Sequence, residues 1–207
     1  RVRKDAFEAE FGTYKKYSNT MASTLFGAIK SEIFNAKTRK YPSALFASLY
    51  QDNISVDVYN NLIDSIHENI PALDKYLEIK KKYLGLDELH MYDLYVPMAR
   101  DFNMEISYEE AKEIILEALK PMGEGYTSLI KKAFDERWID VYENEGKKGG
   151  AYSWGCYDSH PYILMSYNND LNSMFTLIHE LGHSIHSYLS HNSQPYIYSS
   201  YKIFVAE

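Results

Sequence analysis

Residues 174–183 read MFTLIHELGH and contain two histidines, His179 and His183, four positions apart. On an α-helix this spacing places the two side chains about 40° apart around the axis and one turn apart along it, so both imidazoles can bind a single ion. The residues that precede His179 are mostly apolar, which predicts a buried helix where unliganded polar side chains would be costly. The pattern therefore predicts a helix that binds one Zn²⁺ ion.

The glutamate of this pattern, Glu180, is the candidate catalytic base. It lies about 100° around the axis from His179, where its carboxylate can reach the open coordination position of the metal. Zinc lowers the pKa of a bound water toward neutrality, and the glutamate can take the proton of that water. The alternative interpretation, two surface histidines beside a helical glutamate, fits the apolar surroundings less well.

A catalytic zinc ion also needs a third protein ligand. A metzincin would have Gly and His where this chain has His186 and Leu189, so that class is excluded. Glu207 is the one acidic residue after His183, and its apolar neighbours make it the candidate ligand, although it could instead face solvent. His186 shares a helix face with His179 but lies about 10 Å further along, so we expect it to orient a neighbouring group or to pack.

Composition excludes several classes of protein. The chain has 207 residues, 29 Asp and Glu against 22 Lys and Arg, and a net charge of −7, whereas nucleic-acid binding depends on clustered basic residues. A single cysteine excludes a disulfide framework, and no apolar run is long enough to cross a bilayer. With no signal region at its start, the chain is expected in the cytoplasm. Its oligomeric state stays open.

The first 140 residues have the apolar spacing of helices. Ser55 and Ser107 are the predicted N-caps of two of them, the second with a capping box to Glu110, and Pro71 is expected to interrupt or restart the helix that follows Ser55. One long amphipathic helix is predicted near the start of the chain. Its apolar stripe comprises Phe7, Phe11, Tyr14, Met21, Leu25 and Ala28.

The character of the sequence changes near residue 145, where a glycine-rich loop precedes two short aromatic and β-branched runs, residues 151–156 and 162–167. We therefore predict a helical region over residues 1–145 and a zinc-binding region over residues 146–207. The edge of the second run could pair with an extended peptide, and His160 and Tyr162 could donate hydrogen bonds to it, or they could be ordinary turn and strand residues. Cys156 and His160 alone are poor evidence for a thiol nucleophile.

Five stretches together resemble the thimet-oligopeptidase-like zinc metallopeptidases, and among them the oligoendopeptidase F type, over essentially the whole chain. They are FTLIHELGHS at 175–184, QPY at 194–196, FVAE at 204–207, ELHMYDLY at 88–95 and GAYSWG at 150–155.

The resemblance implies a mainly α fold: a helical, two-lobed zincin-type peptidase with a small β-sheet beside the active-site helix. It implies cleavage of short unstructured peptides at internal bonds in the cytoplasm. It also implies that His179, His183 and Glu207 bind Zn²⁺ and that Glu180 is the base. In that family a helical lobe precedes this region, and a portion with oxyanion-stabilising groups follows it, so this chain is expected to be an internal piece.

Two other functions remain open at this point. The chain could be a non-catalytic helical peptide-binding or scaffold fragment that retains the zinc motif, and it would then cleave no peptide. It could also be a zinc hydrolase that acts on a non-peptide amide or ester. The apolar strand before the helix suits an extended peptide better.

Overall fold

The computed structural model describes residues 1–98 and 104–206 and forms two compact units, residues 1–100 and 101–207. The predicted fold class is confirmed, because the described residues are mainly helical with one small sheet. Helices within residues 104–145 pack with the later part of the chain in the second unit. The predicted division into a helical region over residues 1–145 and a zinc-binding region over residues 146–207 stays a prediction.

Within residues 1–98, the first unit forms four α-helices and a short 3₁₀ turn at Met91–Asp93. The helices are α1 (Val2–Lys16), α2 (Ser18–Thr38), α3 (Ala44–Tyr50) and α4 (Val56–Leu84).

The prediction of one long helix near the start was wrong in one respect, because Tyr17 leaves helical geometry and separates α1 from α2. The predicted break at Pro71 is also absent, since α4 continues through it. A proline inside a helix loses one hydrogen bond and crowds the carbonyl four residues earlier, but that local cost does not end α4, which extends over 29 residues. Ser55 caps α4 by accepting from the Val58 N–H, and Gly85 ends it with the left-handed φ of 65° that favours glycine.

In its described part, the first unit buries few apolar side chains, and its buried side chains include the charged groups of Asp93 and Lys80. Asp93 is 2% exposed and accepts two hydrogen bonds from the Arg3 guanidinium, at 3.1 and 2.8 Å. The backbone N–H of His90 donates to the other carboxylate oxygen of Asp93 at 3.2 Å. The buried ammonium of Lys80 donates to the carbonyl oxygen of Leu94. These contacts tie the 3₁₀ turn to α1 and the chain that follows the turn to α4.

The second unit has a continuous apolar core between helices and sheet. Its helices are α5 (Tyr108–Ala118), α6 (Glu124–Asp135), α7 (Leu171–Ser193) and α8 (Ile203–Ala206), with 3₁₀ turns at Lys120–Met122 and Tyr196–Tyr198. The predicted capping box at Ser107 is confirmed, and Asp170 caps α7 by accepting from the Ser173 N–H. The core consists of Ile106, Ala111, Ile115, Ile130, Ala133, Phe134, Trp138, Ile139, Ile163, Met165, Tyr167, Leu177, Leu181 and Ile185.

The sheet has three short strands in the order β1–β3–β2, where β1 is Ile139–Asp140, β2 is Tyr152–Trp154 and β3 is Tyr162–Leu164. β2 and β3 lie in the two runs that the sequence indicated, and they pair antiparallel. The predicted free edge is on the wrong strand, however, because β1 pairs in parallel with the other side of β3. No pattern in the sequence indicates β1, because its two residues are too few for a strand signal. β3 therefore has no free edge, and the free edges of the described sheet belong to β1 and β2.

Among the described residues, no helix is both long and apolar enough to cross a membrane.

We expect Gly155→Ala to destabilise the second unit, because a Cβ at this position would lie 2.7 Å from Ser187 Cβ and 2.9 Å from His191 Cε1. Overpacking of this kind costs about 1–3 kcal/mol in the free energy of unfolding. Urea denaturation followed by tryptophan fluorescence measures it, since Trp138 and Trp154 both lie in this unit. In the control Gly125→Ala, the helical Cβ meets no atom within 4 Å. Equal stability of the Gly155 variant and the wild type would show that β2 can move away from α7.

The acid stability of the first unit is expected to depend on the buried carboxylate of Asp93. Burial by itself would raise the pKa of Asp93, but the hydrogen bonds from Arg3 and from the His90 N–H outweigh burial and hold that pKa below its ordinary value. A lowered folded-state pKa means that the carboxylate stabilises the fold above the unfolded pKa of about 4, and that this stabilisation is lost as pH falls through the folded pKa.

Asp93→Asn should therefore lower the free energy of unfolding more at about pH 7 than at about pH 3. Urea denaturation followed by far-UV circular dichroism measures both differences. Asp64→Asn is the control, because Asp64 is exposed on α4. A pH-independent difference between wild type and the Asp93 variant would contradict the interpretation.

Candidate active site

The helix α7 presents both histidines of the sequence motif at one point. His179 Nε2 and His183 Nε2 lie 3.0 Å apart, and the two rings are nearly perpendicular, at 87°. Two nitrogens bound to one tetrahedral zinc ion, with bonds of 2.0–2.1 Å, would lie about 3.3 Å apart. The separation of the two imidazoles therefore fits a shared zinc ion.

Glu180 is buried, at 7% exposed, while His179 is exposed and His183 is half-buried. All three line a cavity of about 450 Å³ whose walls come from β2, α7 and the chain after α7. The cavity is lined by residues 151–155, His179, Glu180, His183, Ser187, His191, residues 199–201, Ile203 and Ala206.

The strand β2 lies close to α7 because its side chains there are small. Ser153 Oγ and Ser184 Oγ share a hydrogen bond of 2.8 Å, and the missing side chain of Gly155 leaves room for Ser187. The glycine-rich loop before β2 is held by the buried side chain of Lys147. The ammonium of Lys147 donates to the carbonyl oxygens of Asp140 and Tyr142, at 3.2 and 2.6 Å, and pairs with the Asp140 carboxylate. Lys147 thus fixes this loop to the chain around β1, while Ser153 and Gly155 hold β2 and the residue after it beside α7.

His186 packs, as the sequence predicted, and does not converge with His179 and His183. Its ring stacks on Tyr201, with centroids 3.6 Å apart and planes at 9°. Tyr201 belongs to the chain after α7. His186 thus helps to hold that chain against the helix.

His160 and Tyr162, the two candidate substrate contacts, do not line the cavity beside α7. His160 stacks on Trp138 and contacts the ring of Tyr162, and its Nδ1 donates to the Pro161 carbonyl oxygen at 2.7 Å. The hydroxyl of Tyr162 shares a hydrogen bond with Ser159. Neither His160 nor Tyr162 is among the described residues that line the cavity beside α7. Their role as donors to a substrate stays a prediction.

The third ligand candidate, Glu207, lies outside the described residues. Its neighbour in sequence, Ala206, lines the cavity. Within residues 1–98 and 104–206, no three His, Cys, Asp or Glu side chains come together as a metal site. The Nε2 atoms of the two imidazoles point toward one another. Imidazole nitrogen is a ligand that suits zinc, and two such ligands leave coordination positions of the ion open for a third protein ligand.

The sequence did not identify β2 as the strand beside the helix. The small residues Ser153 and Gly155 and the exposed Tyr152 and Trp154 alternate along it, which is the available signal. Tyr201 was also missed, because one tyrosine after a helix has no distinctive spacing.

Comparison with known proteins gives concordant results. A model of peptidase family M3 matches residues 1–207. Oligopeptidase PepF of Bacillus subtilis strain 168 is 50% identical over 206 residues, which cover 100% of this chain and 31% of that protein. The chromosomal oligoendopeptidase F of Lactococcus lactis subsp. cremoris is 43% identical over 206 residues, or 100% of this chain and 34% of that protein.

A crystal structure of a peptidase from Chlamydophila abortus superposes with a TM-score of 0.83 at 41% identity, covering 99% of this chain and 34% of that chain. The chain thus spans about a third of the length of these relatives. Since the family model extends over every residue, including the α7 helix with its paired histidines and buried glutamate, this chain belongs to peptidase family M3.

Proposed function

We propose that this chain forms part of a zinc-dependent endopeptidase that hydrolyses internal bonds of short, unstructured peptides. One observation carries the proposal: His179 and His183 converge beside the buried Glu180 in a cavity that the edge strand β2 also lines. The relatives named oligopeptidase and oligoendopeptidase support a peptide substrate. The single cysteine favours the cytoplasm as its location.

His179, His183 and Glu207 would hold the zinc ion. A bound zinc ion would supply Lewis-acid polarisation of the scissile carbonyl and a lowered pKa for the attacking water. Glu180 takes the proton of that water and returns it to the leaving amine, as a general base and then a general acid. The burial of Glu180 keeps its carboxylate inside the cavity, where a water and a peptide bond can both reach it.

The substrate would lie as an added strand along the free edge of β2. In the described sheet, β3 has partners on both sides, so its edge cannot serve as the sequence suggested. β2 lines the cavity with His179 and Glu180, and an extended peptide paired with it would pass in front of both side chains. Trp154, 70% exposed, and Tyr152 offer apolar surface to the side chains of such a peptide.

Glu180→Gln should lower kcat for a quenched fluorescent peptide by about 100- to 10,000-fold, the usual contribution of a general base. Zinc should remain bound, because the histidines are unchanged. Activity and metal content of the purified full-length protein are the measurements. Glu145→Gln serves as the control, since Glu145 is exposed and is not among the residues that line the cavity.

Near-normal turnover by the Glu180 variant would contradict the mechanism. A wild-type protein that binds peptides but cleaves none, even with zinc supplied, would favour the non-catalytic interpretation. Cleavage that is restricted to esters or non-peptide amides would favour a different zinc hydrolase.

Substrates with single N-methyl groups test the strand pairing. Residues of an added strand alternate in whether their N–H faces the neighbouring strand. Methylation of an amide that faces β2 should lower kcat/KM by at least about tenfold, through a lost hydrogen bond and a steric clash. Methylation of the amides between them should have little effect. A uniform effect along the peptide, or none, would contradict pairing with β2.

A further inference from the structure

The chain after α7 folds back along that helix. We call residues 194–206 the return segment. Its first residue, Gln194, accepts a hydrogen bond from the Tyr157 hydroxyl at 3.1 Å. Ser190 of α7 donates to the carbonyl oxygen of Ser199, which is 3% exposed. These contacts hold the first half of the return segment against the last turns of α7.

Tyr201 makes the contacts of the return segment that lie nearest the two histidines. Its ring stacks on His186, one turn beyond His183. Its hydroxyl lies 2.7 Å from Ser187 Oγ and donates to the backbone carbonyl oxygen of His183 at 3.4 Å. Both contacts are satisfied when Ser187 donates its hydroxyl proton to Tyr201 and Tyr201 donates its own to the His183 carbonyl oxygen.

These contacts fix the return segment relative to the turn of α7 that carries His183. Beyond Tyr201, Ile203 and Ala206 line the cavity that contains His179 and Glu180. Glu207 follows Ala206 directly in the sequence. The anchor at Tyr201 therefore restricts the path of the described chain that leads toward Glu207.

We propose that Tyr201 is a positioning residue for the metal centre: stacked on His186 and hydrogen-bonded to Ser187 and to the His183 backbone, it holds the return segment so that Glu207 can bind the ion that His179 and His183 share. This proposal rests on the proposed function. It requires that Glu207 be the third ligand.

The test compares zinc affinity among variants of the purified full-length protein, by competition with a chromophoric chelator. Tyr201→Ala removes ring and hydroxyl and should weaken zinc binding about 10- to 100-fold, as the loss of a supporting residue around a metal ligand does. Tyr201→Phe keeps the stacking and loses the hydroxyl, so roughly a twofold to tenfold loss is expected. Tyr198→Ala is the matched control, because Tyr198 lies in the same segment but is 67% exposed.

A second readout separates positioning from a purely structural role. The visible absorption spectrum of the Co²⁺-substituted protein reports the number and type of ligands. The spectrum of Tyr201→Ala should move toward that of Glu207→Ala, whereas that of Tyr198→Ala should match the wild type. A double-mutant cycle between Ser187→Ala and Tyr201→Phe should show that their effects on zinc affinity are not additive.

The outcomes distinguish the two proposals. Absence of zinc binding in the wild type would overturn the proposed function and this inference with it. Zinc binding that Glu207→Ala weakens, but that both Tyr201 variants leave within twofold of the wild type, would overturn the inference alone. Unchanged affinity in Glu207→Ala would also overturn it. If Tyr201→Ala does not fold, Tyr201→Phe and the double-mutant cycle decide.

Discussion

The close contact between β2 and α7 is the constraint on which the candidate site depends. Gly155 brings the strand so near to the helix that a single added carbon would meet Ser187 and His191. Ser153 and Ser184 then share a hydrogen bond across the same contact. Because large side chains are missing from this contact, the edge of β2 and the histidines of α7 line one cavity. Bulkier residues would separate the strand from the helix and open the cavity to solvent.

One side of the helix α7 packs in the apolar core, and the other side lines the cavity. Leu177, Leu181 and Ile185 follow one another at four-residue intervals and belong to the apolar core. His179 and His183, also four apart, face the cavity. The apolar side fixes the rotation of the helix about its axis, since turning it would expose leucine and bury histidine. The direction of the two imidazoles is thus a consequence of core packing.

The first unit follows a different principle. Its helices are bounded by local hydrogen bonds, with Ser43 and Ser55 as N-caps and Gly85 as the C-terminal cap. Many of its large apolar side chains are exposed, among them Leu25, Phe34 and Leu73. Its buried polar contacts centre on Asp93 and Lys80, each of which has hydrogen-bond partners. Local capping signals of this kind can be read from a sequence, and the start of α4 after Ser55 was predicted from one, whereas the division between α1 and α2 was not.

The sequence by itself determined the helix with the paired histidines and their glutamate, the capping box at Ser107 and the two short runs that contain β2 and β3. These features arise from residues close together in the chain, where spacing and cap chemistry act directly. Only the tertiary structure decided that β3 lies in the middle of the sheet and has no free edge, because the two residues of β1 show no strand pattern of their own. It also decided that His160 stacks on Trp138 away from the cavity and that Tyr201 returns to α7. Those arrangements depend on contacts between distant parts of the chain, whose geometry no short spacing encodes.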